Sequence, residues 1–269
     1  MPQSRDFRPF PRALSAVALL ALAASATPLG GCGGFSDVTG SIASTQQPLP
    51  TDEARLRAYA DEWGKRYDRD PGEKVASINY ARALRGLTRY SEAAAVMQAA
   101  AVKAPKDFEV LGAYGKALAD AGQIEQAKEV LAHAYAPDQP DWTIMSVQGA
   151  VADELGDHEG ARKFYRDALK IAPGEPAVLN NLGLSYVLTK QLPQAEDALR
   201  QACASPRADA RIRNNLALVL ALEGKFAKAE ELSRRDMPAE AAAADARAIR
   251  RLIEKPTESS STGLAYQRE

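Results

Sequence analysis

Two histidines, two cysteines and one tight group of carboxylates are the residues that could do chemistry in this chain of 269 residues. His133 and His158 stand far apart, with no His-x3-His spacing and no cysteine beside either, so they do not form a metal-ligand set. They read as packing or surface residues. Cys203 falls near the end of a helical stretch and reads as a small buried hydrophobe. Asp153, Glu154 and Asp157 could form paired carboxylates for acid–base work, but they sit where a helix is expected to end, and they read as a solvated face. No Gly-x-Ser-x-Gly, Walker A or dinucleotide fingerprint occurs. The chain reads as non-enzymatic, with no catalytic residue, no metal site and no small-molecule substrate. Lys and Arg number 34 against 35 Asp and Glu, and this balance lacks the basic excess that nucleic-acid binding requires. Aromatics at 6% with 46% apolar residues, many of them alanine, suit closely packed helices better than a sandwich of sheets.

The remaining cysteine, Cys32, has a context of its own. Arg5, Arg8 and Arg12 precede an apolar run from Ala13 to Ala26, too short to span a bilayer comfortably but suited to a secretory signal. Leu29-Gly30-Gly31-Cys32 follows it. That string resembles the lipobox of bacterial lipoproteins, which implies a signal peptide over residues 1–31 and acyl chains on Cys32 as the only attached groups. Each buried methylene contributes about 0.8 kcal/mol, so two or three chains hold a protein on a membrane where one would not. By the same resemblance, Gly33 after the cysteine implies the outer membrane, with the folded part facing the periplasm. Residues 32–51, rich in Gly, Ser, Thr, Gln and Pro, read as a flexible linker with a reach of about 25 Å.

Any groove or contact surface must then be built by the rest of the chain, which is periodic. Ala93, Ala127, Ala161, Ala195 and Ala229 recur every 34 residues. In the same register lie a small column (Ala81, Gly115, Gly149, Gly183, Ala217), a large apolar column (Met97, Leu131, Tyr165, Leu199) and a turn column. The turn column is Gly122, Gly156 and Gly224, with Thr88 and Lys190 as exceptions. These columns are similar to the tetratricopeptide repeat, a helix–turn–helix unit. The fold expected is all-α: a right-handed superhelical solenoid of five units, 74–107, 108–141, 142–175, 176–209 and 210–236, the last degenerate in its second helix. Residues 52–73 and 237–255 are expected to form capping helices, which a solenoid needs because its end repeats otherwise expose an apolar face. Residues 256–269 read as a polar tail.

First helices of such units line a concave surface that holds an extended peptide or a partner helix. The residues expected there are Arg82, Arg85, Lys116, Asp153, Asn180, Leu184, Val187, Asn214, Leu218 and Leu222, basic early in the array and apolar late.

Several strings are closer to one family than to repeats in general: Val178–Tyr186 (VLNNLGLSY), Asn215–Ala229 (NLALVLALEGKFAKA), Leu111–Asp120 (LGAYGKALAD), Asp141–Gly149 (DWTIMSVQG) and the Arg-Arg-Asp-Met-Pro, alanine and Ile-Arg-Arg pattern of Ser233–Ile253. Together they resemble TadD, the tetratricopeptide lipoprotein of bacterial tight-adherence (Flp pilus) systems. The resemblance implies a pilotin-like scaffold that binds a protein partner, the outer-membrane secretin of the pilus system, with the lipid anchor as its membrane contact. Another envelope scaffold, for outer-membrane-protein assembly or type IV pilus biogenesis, is the alternative; an activator of a cell-wall enzyme is a more distant one.

Overall fold

The computed structural model describes residues 48–254, so the signal segment, Cys32, most of the linker and the C-terminal tail lie outside the described residues. Twelve helices account for the described residues: α1 (Glu53–Tyr67), α2 (Lys74–Gly86), α3 (Tyr90–Lys103), α4 (Phe108–Asp120), α5 (Ile124–Leu131), α6 (Trp142–Glu154), α7 (His158–Ile171), α8 (Pro176–Leu188), α9 (Leu192–Cys203), α10 (Ala210–Leu222), α11 (Phe226–Ser233) and α12 (Ala239–Glu254). From α2 to α11 they form five antiparallel pairs. Each helix packs on its neighbours in sequence, and α1 and α12 close the two ends. No described helix is long and apolar enough to cross a membrane.

Within a pair, the small column permits the close approach of the two helices. A Cβ added to Gly115 would lie 2.5 Å from the Leu131 side chain, one on Gly149 would lie 2.5 Å from the Tyr165 ring, and one on Gly183 would lie 2.7 Å from Leu199. Ala93, Ala127, Ala161 and Ala195 of the second helices are fully buried against them, and Leu131, Leu199, Met97 and Tyr165 fill the layer between.

The turn from first to second helix is the same in every pair. Gly122, Gly156 and Gly224 take φ of +73°, +81° and +77°, and Thr88 and Lys190, the two exceptions in this column, take 58°. The N–H of the following residue then donates to a carbonyl of the first helix's last turn, as Arg89 does to Leu84, Gln123 to Leu118, Asp157 to Ala152, Gln191 to Tyr186 and Lys225 to Leu220. This closure satisfies carbonyls that a helix end leaves orphaned. Because it is a backbone device, it tolerates Thr and Lys at the cost of a left-handed conformation that L-residues disfavour.

Two details differ from the sequence reading. The second helix of the second unit, α5, is as short as that of the fifth, α11, at 8 residues each. After Leu131 the chain leaves the helix and folds into a turn segment with an antiparallel bridge between Ala136 and Gln139. His133, expected late in a helix, therefore lies exposed in that turn. The Tyr135 hydroxyl donates to Gln148 Oε1 at 3.3 Å, and Gln148 Nε2 donates at 3.0 Å to the Leu131 carbonyl, which also accepts from the Ala134 N–H, so α6 holds this turn segment in place.

Candidate binding groove

Curvature follows from which helices touch. Consecutive first helices are in contact (α2 with α4, α4 with α6, α6 with α8, α8 with α10, α10 with α12), whereas successive second helices are splayed apart. The first helices therefore form the inner, shorter radius of the solenoid, and their solvent-facing sides form a concave surface.

Each first helix starts in a way that fixes its side chains against the helix before it. Glu73, Asp107, Asp141 and Asp209 accept hydrogen bonds from the free N–H groups of the first turns of α2, α4, α6 and α10, and α8 begins with Pro176. With the starts fixed, side chains about one period apart meet across the inner layer. Lys116 Nζ donates to Thr143 Oγ1 at 3.1 Å, Asn181 Nδ2 to Ser146 Oγ at 3.3 Å, Ser185 Oγ to Asp153 Oδ1 at 2.8 Å, and Asn215 Nδ2 to Asn180 Oδ1 at 2.7 Å. Arg85 on α2 forms an ion pair with Asp120 on α4, whose side chain is only 2% exposed.

This polar seam redistributes the residues expected to line the groove. Asn180 is fully buried and bonded to Asn215. Asp153 was expected on a solvated face with Glu154 and Asp157. Those two are exposed, but the Asp153 side chain is 9% exposed and accepts bonds from Ser185, from the Tyr165 hydroxyl at 3.0 Å and from His158 Nδ1 at 2.9 Å. Three donors from α7 and α8 converge on one carboxylate, and burial together with that carboxylate raises the Tyr165 pKa well above the usual tyrosine range. Arg85 is committed to Asp120, and Arg82 donates to Asn79 Oδ1 at 3.3 Å. Leu184, Val187, Leu218 and Leu222 are half-buried, Asn214 is exposed, and Leu188 next to Val187 is 40% exposed. The α8–α10 stretch of the inner face thus carries a partly open apolar surface.

Lys116 is half-buried on α4. Burial lowers its pKa to about 8; Asp141 and Asp120 oppose that shift, and Arg85 and Arg82 add to it. Protein surrounds this ammonium on most sides while part of the side chain still reaches solvent, as befits a group on the floor of a groove.

Sequence reasoning missed the seam itself and a buried arginine on the second-helix layer. Arg162 on α7 donates to Thr189 Oγ1 at 3.3 Å, pairs with Glu159 and stands 5.2 Å from the Tyr186 ring. The repeated Asn-Asn pairs, Asn180-Asn181 and Asn214-Asn215, are one period apart and were the available signal. Cys203 is a free, half-buried thiol whose pKa is pushed up by burial. Among the described residues no group of three His, Cys, Asp or Glu side chains is placed to hold a metal ion.

Comparison with known proteins agrees with this geometry. A tetratricopeptide-repeat family model matches residues 154–217. A stretch of 70 residues is 37% identical to the BBSome complex member bbs-4 of Caenorhabditis elegans, and it spans 26% of this chain but only 14% of that protein. Among solved structures, PilW, a type IV pilus biogenesis factor, superposes with a TM-score of 0.61 at 14% identity over 71% of this chain and 90% of its own. The Cut9–Hcn1 hetero-tetramer of APC/C gives 0.57 at 16% identity, covering 75% of this chain and 40% of that one. A thermophilic repeat protein of Thermus thermophilus gives 0.55 at 19% identity, with coverages of 62% and 91%. At such identities the likeness speaks for the fold, and the fold is clear: the described chain is a tetratricopeptide-repeat solenoid.

Proposed function

We propose that this protein is a lipid-anchored, non-enzymatic scaffold of the bacterial outer membrane whose concave face holds a segment of a partner protein, the secretin of a tight-adherence (Flp) pilus. The observation that carries the binding half of this reading is the inner face itself. Its polar side chains are largely bonded to one another, while Leu184, Val187, Leu188, Leu218 and Leu222 keep apolar surface open along α8 and α10. A rigid, pre-formed concave surface with exposed apolar groups suits an extended segment or an amphipathic helix, because the scaffold loses little entropy on binding. Anchoring rests on Leu29-Gly30-Gly31-Cys32, and acyl chains on Cys32 would fix the location while residues 32–51 give reach. The choice of a pilus secretin rests on the resemblance to TadD; a type IV pilus biogenesis factor with the same fold fits that choice.

The test is purification of the full chain from detergent-solubilised membranes with identification of co-purifying proteins, alongside a Cys32→Ala variant. The secretin should accompany the native chain, and the variant should leave the outer-membrane fraction. Recovery of barrel-assembly components without secretin would overturn the pilus assignment, and a variant still in the outer membrane would overturn the anchor.

A further inference from the structure

We propose that the solenoid rests on the lipid surface by one edge, the edge at which second helices end and first helices begin. Val75, Val102 and Phe108 enter the interface there, and Lys106 meets anionic headgroups. This rests on the reading of Cys32 as a lipid anchor and names the part of the fold that touches the membrane. The concave face stays open to a partner.

The three most exposed large apolar side chains among the described residues are Val102 at 78%, Val75 at 54% and Phe108 at 49%. They come from three helices and one place. Lys74 Nζ pairs with Asp107 at 2.8 Å and with Glu109 at 2.9 Å, which joins the start of α2 to the start of α4. Lys103 pairs with Asp70, and a Cβ on Gly72 would lie 3.0 Å from Lys103 Cδ, which joins the end of α3 to the turn before α2. Exposed Ile171, at the end of α7, carries the same edge two repeats further. Single exposed apolar side chains are ordinary on any surface, but a group of them is not.

The charges around this group favour lipid. Its acids are already bonded: Asp70 to Lys103, Asp107 and Glu109 to Lys74, and Glu73 to the N–H groups of Val75 and Ala76. Lys106 is exposed and in no ion pair among the described residues. Apolar tips with an unpaired ammonium between them suit an interface in which the tips reach the acyl region and the lysine reaches the phosphates.

The tether fits this orientation. Leu49 packs against Leu56, and a Cβ on Gly86 would lie 3.9 Å from Leu49 Cδ1, so the described chain enters at the opposite edge, beside the end of α2. A first helix of 13 residues is about 20 Å long. Residues 32–51, read as a linker with a reach of about 25 Å, span that height from membrane to entry point. A tether of this length holds the edge near lipid at an effective concentration on the order of millimolar, so a contact of a few side chains is enough.

The test uses the full acylated chain purified from host membranes, with Cys203→Ala and one new cysteine carrying an environment-sensitive fluorophore. The labelled positions are Val102→Cys, Phe108→Cys and, as a control in a turn of the opposite edge, Gln123→Cys. Mass spectrometry first reads the acyl chains on Cys32. The chain is then reconstituted into vesicles of phosphatidylethanolamine and phosphatidylglycerol, with and without lipids carrying a quencher at shallow acyl depth. The quencher should lower emission from positions 102 and 108 by about twofold and leave position 123 unchanged. Phe108→Ser should cut the quenching at 102 by about half, and Lys106→Glu should cut it with phosphatidylglycerol present but not in phosphatidylcholine alone. An acylated chain with no quenching at 102 and 108, or with equal quenching at all three positions, would overturn this orientation and leave the anchor standing. Shielding at 102 that grows with protein density and ignores the quencher would give the edge to a second copy and overturn it too. Equal effects of Lys106→Glu in both lipids would remove the headgroup contact. A chain without acyl mass on Cys32 would overturn the anchor and the orientation together.

Discussion

Asn215 on α10 donates its side-chain amide to Oδ1 of Asn180 on α8 at 2.7 Å, across 35 residues of sequence. Each is half of an Asn-Asn pair, and the other half of the first pair, Asn181, reaches back to Ser146 on α6. Neighbouring repeats are thus joined on the inner face by polar bonds as well as by the apolar layer beneath. Such bonds set the angle between consecutive first helices, and so the shape of the groove.

Asn180→Ala removes an acceptor from a fully buried position and leaves the Asn215 amide without its partner. The expected loss is about 1–3 kcal/mol, measured as a lower urea midpoint with unchanged slope. Hydrogen exchange should accelerate in α8 and α10 before it does in α2.

The small column and the turn column make opposite predictions for exchanges between glycine and larger residues. Gly149→Ala gains about 1 kcal/mol of helix propensity but places a methyl 2.5 Å from the Tyr165 ring, which is buried and cannot yield. Overpacking of that kind costs about 1–3 kcal/mol, so the net change is a loss. Thr88→Gly relieves a β-branched residue at φ 58° on an exposed turn and should raise stability by about 1 kcal/mol. Thermal unfolding of both variants beside the native chain checks the two signs.

Lys116 gives a pH dependence whose sign is fixed. Its pKa lies at about 8 in the folded chain against 10.5 for an ordinary lysine. Below pH 8 it is charged in both states, and the full cost of burying it is present. From pH 8 to 10.5 the folded form has shed its proton while the unfolded form still binds one, so this group makes stability rise with pH. Lys116→Met should abolish that rise and stabilise the protein at pH 7 by on the order of 2 kcal/mol, read from urea midpoints at pH 7 and pH 10.

The repeat was legible because its columns are steric. Where two helices cross, only Gly or Ala fits, so Gly149 and Ala161 announce themselves in the sequence. The turn column was legible despite Thr88 and Lys190, since register carried it where residue type did not. The early end of α5 was not legible: Ile124–Leu131 and the residues after it keep the 34-residue spacing, and the turn that follows is held by its own backbone bonds and by Gln148 on the next helix. The groove was legible as a face but not as a set of free side chains. Asn180 and Asp153 occupy groove columns, but the partners that take them inside, Asn215, Ser185 and His158, come from other turns or repeats and are set by the crossing angle of the helices.

On the proposed function the concave face, and not the outer surface, holds the partner. A photo-crosslinking amino acid at Leu184 on the inner face of α8, and another at the exposed Lys163 of α7, tested in cells of the native host, measure this directly. The expected result is a secretin adduct from position 184, competed away by excess native chain, and none from position 163. Equal adducts from both positions, or capture of secretin from position 163 alone, would contradict it.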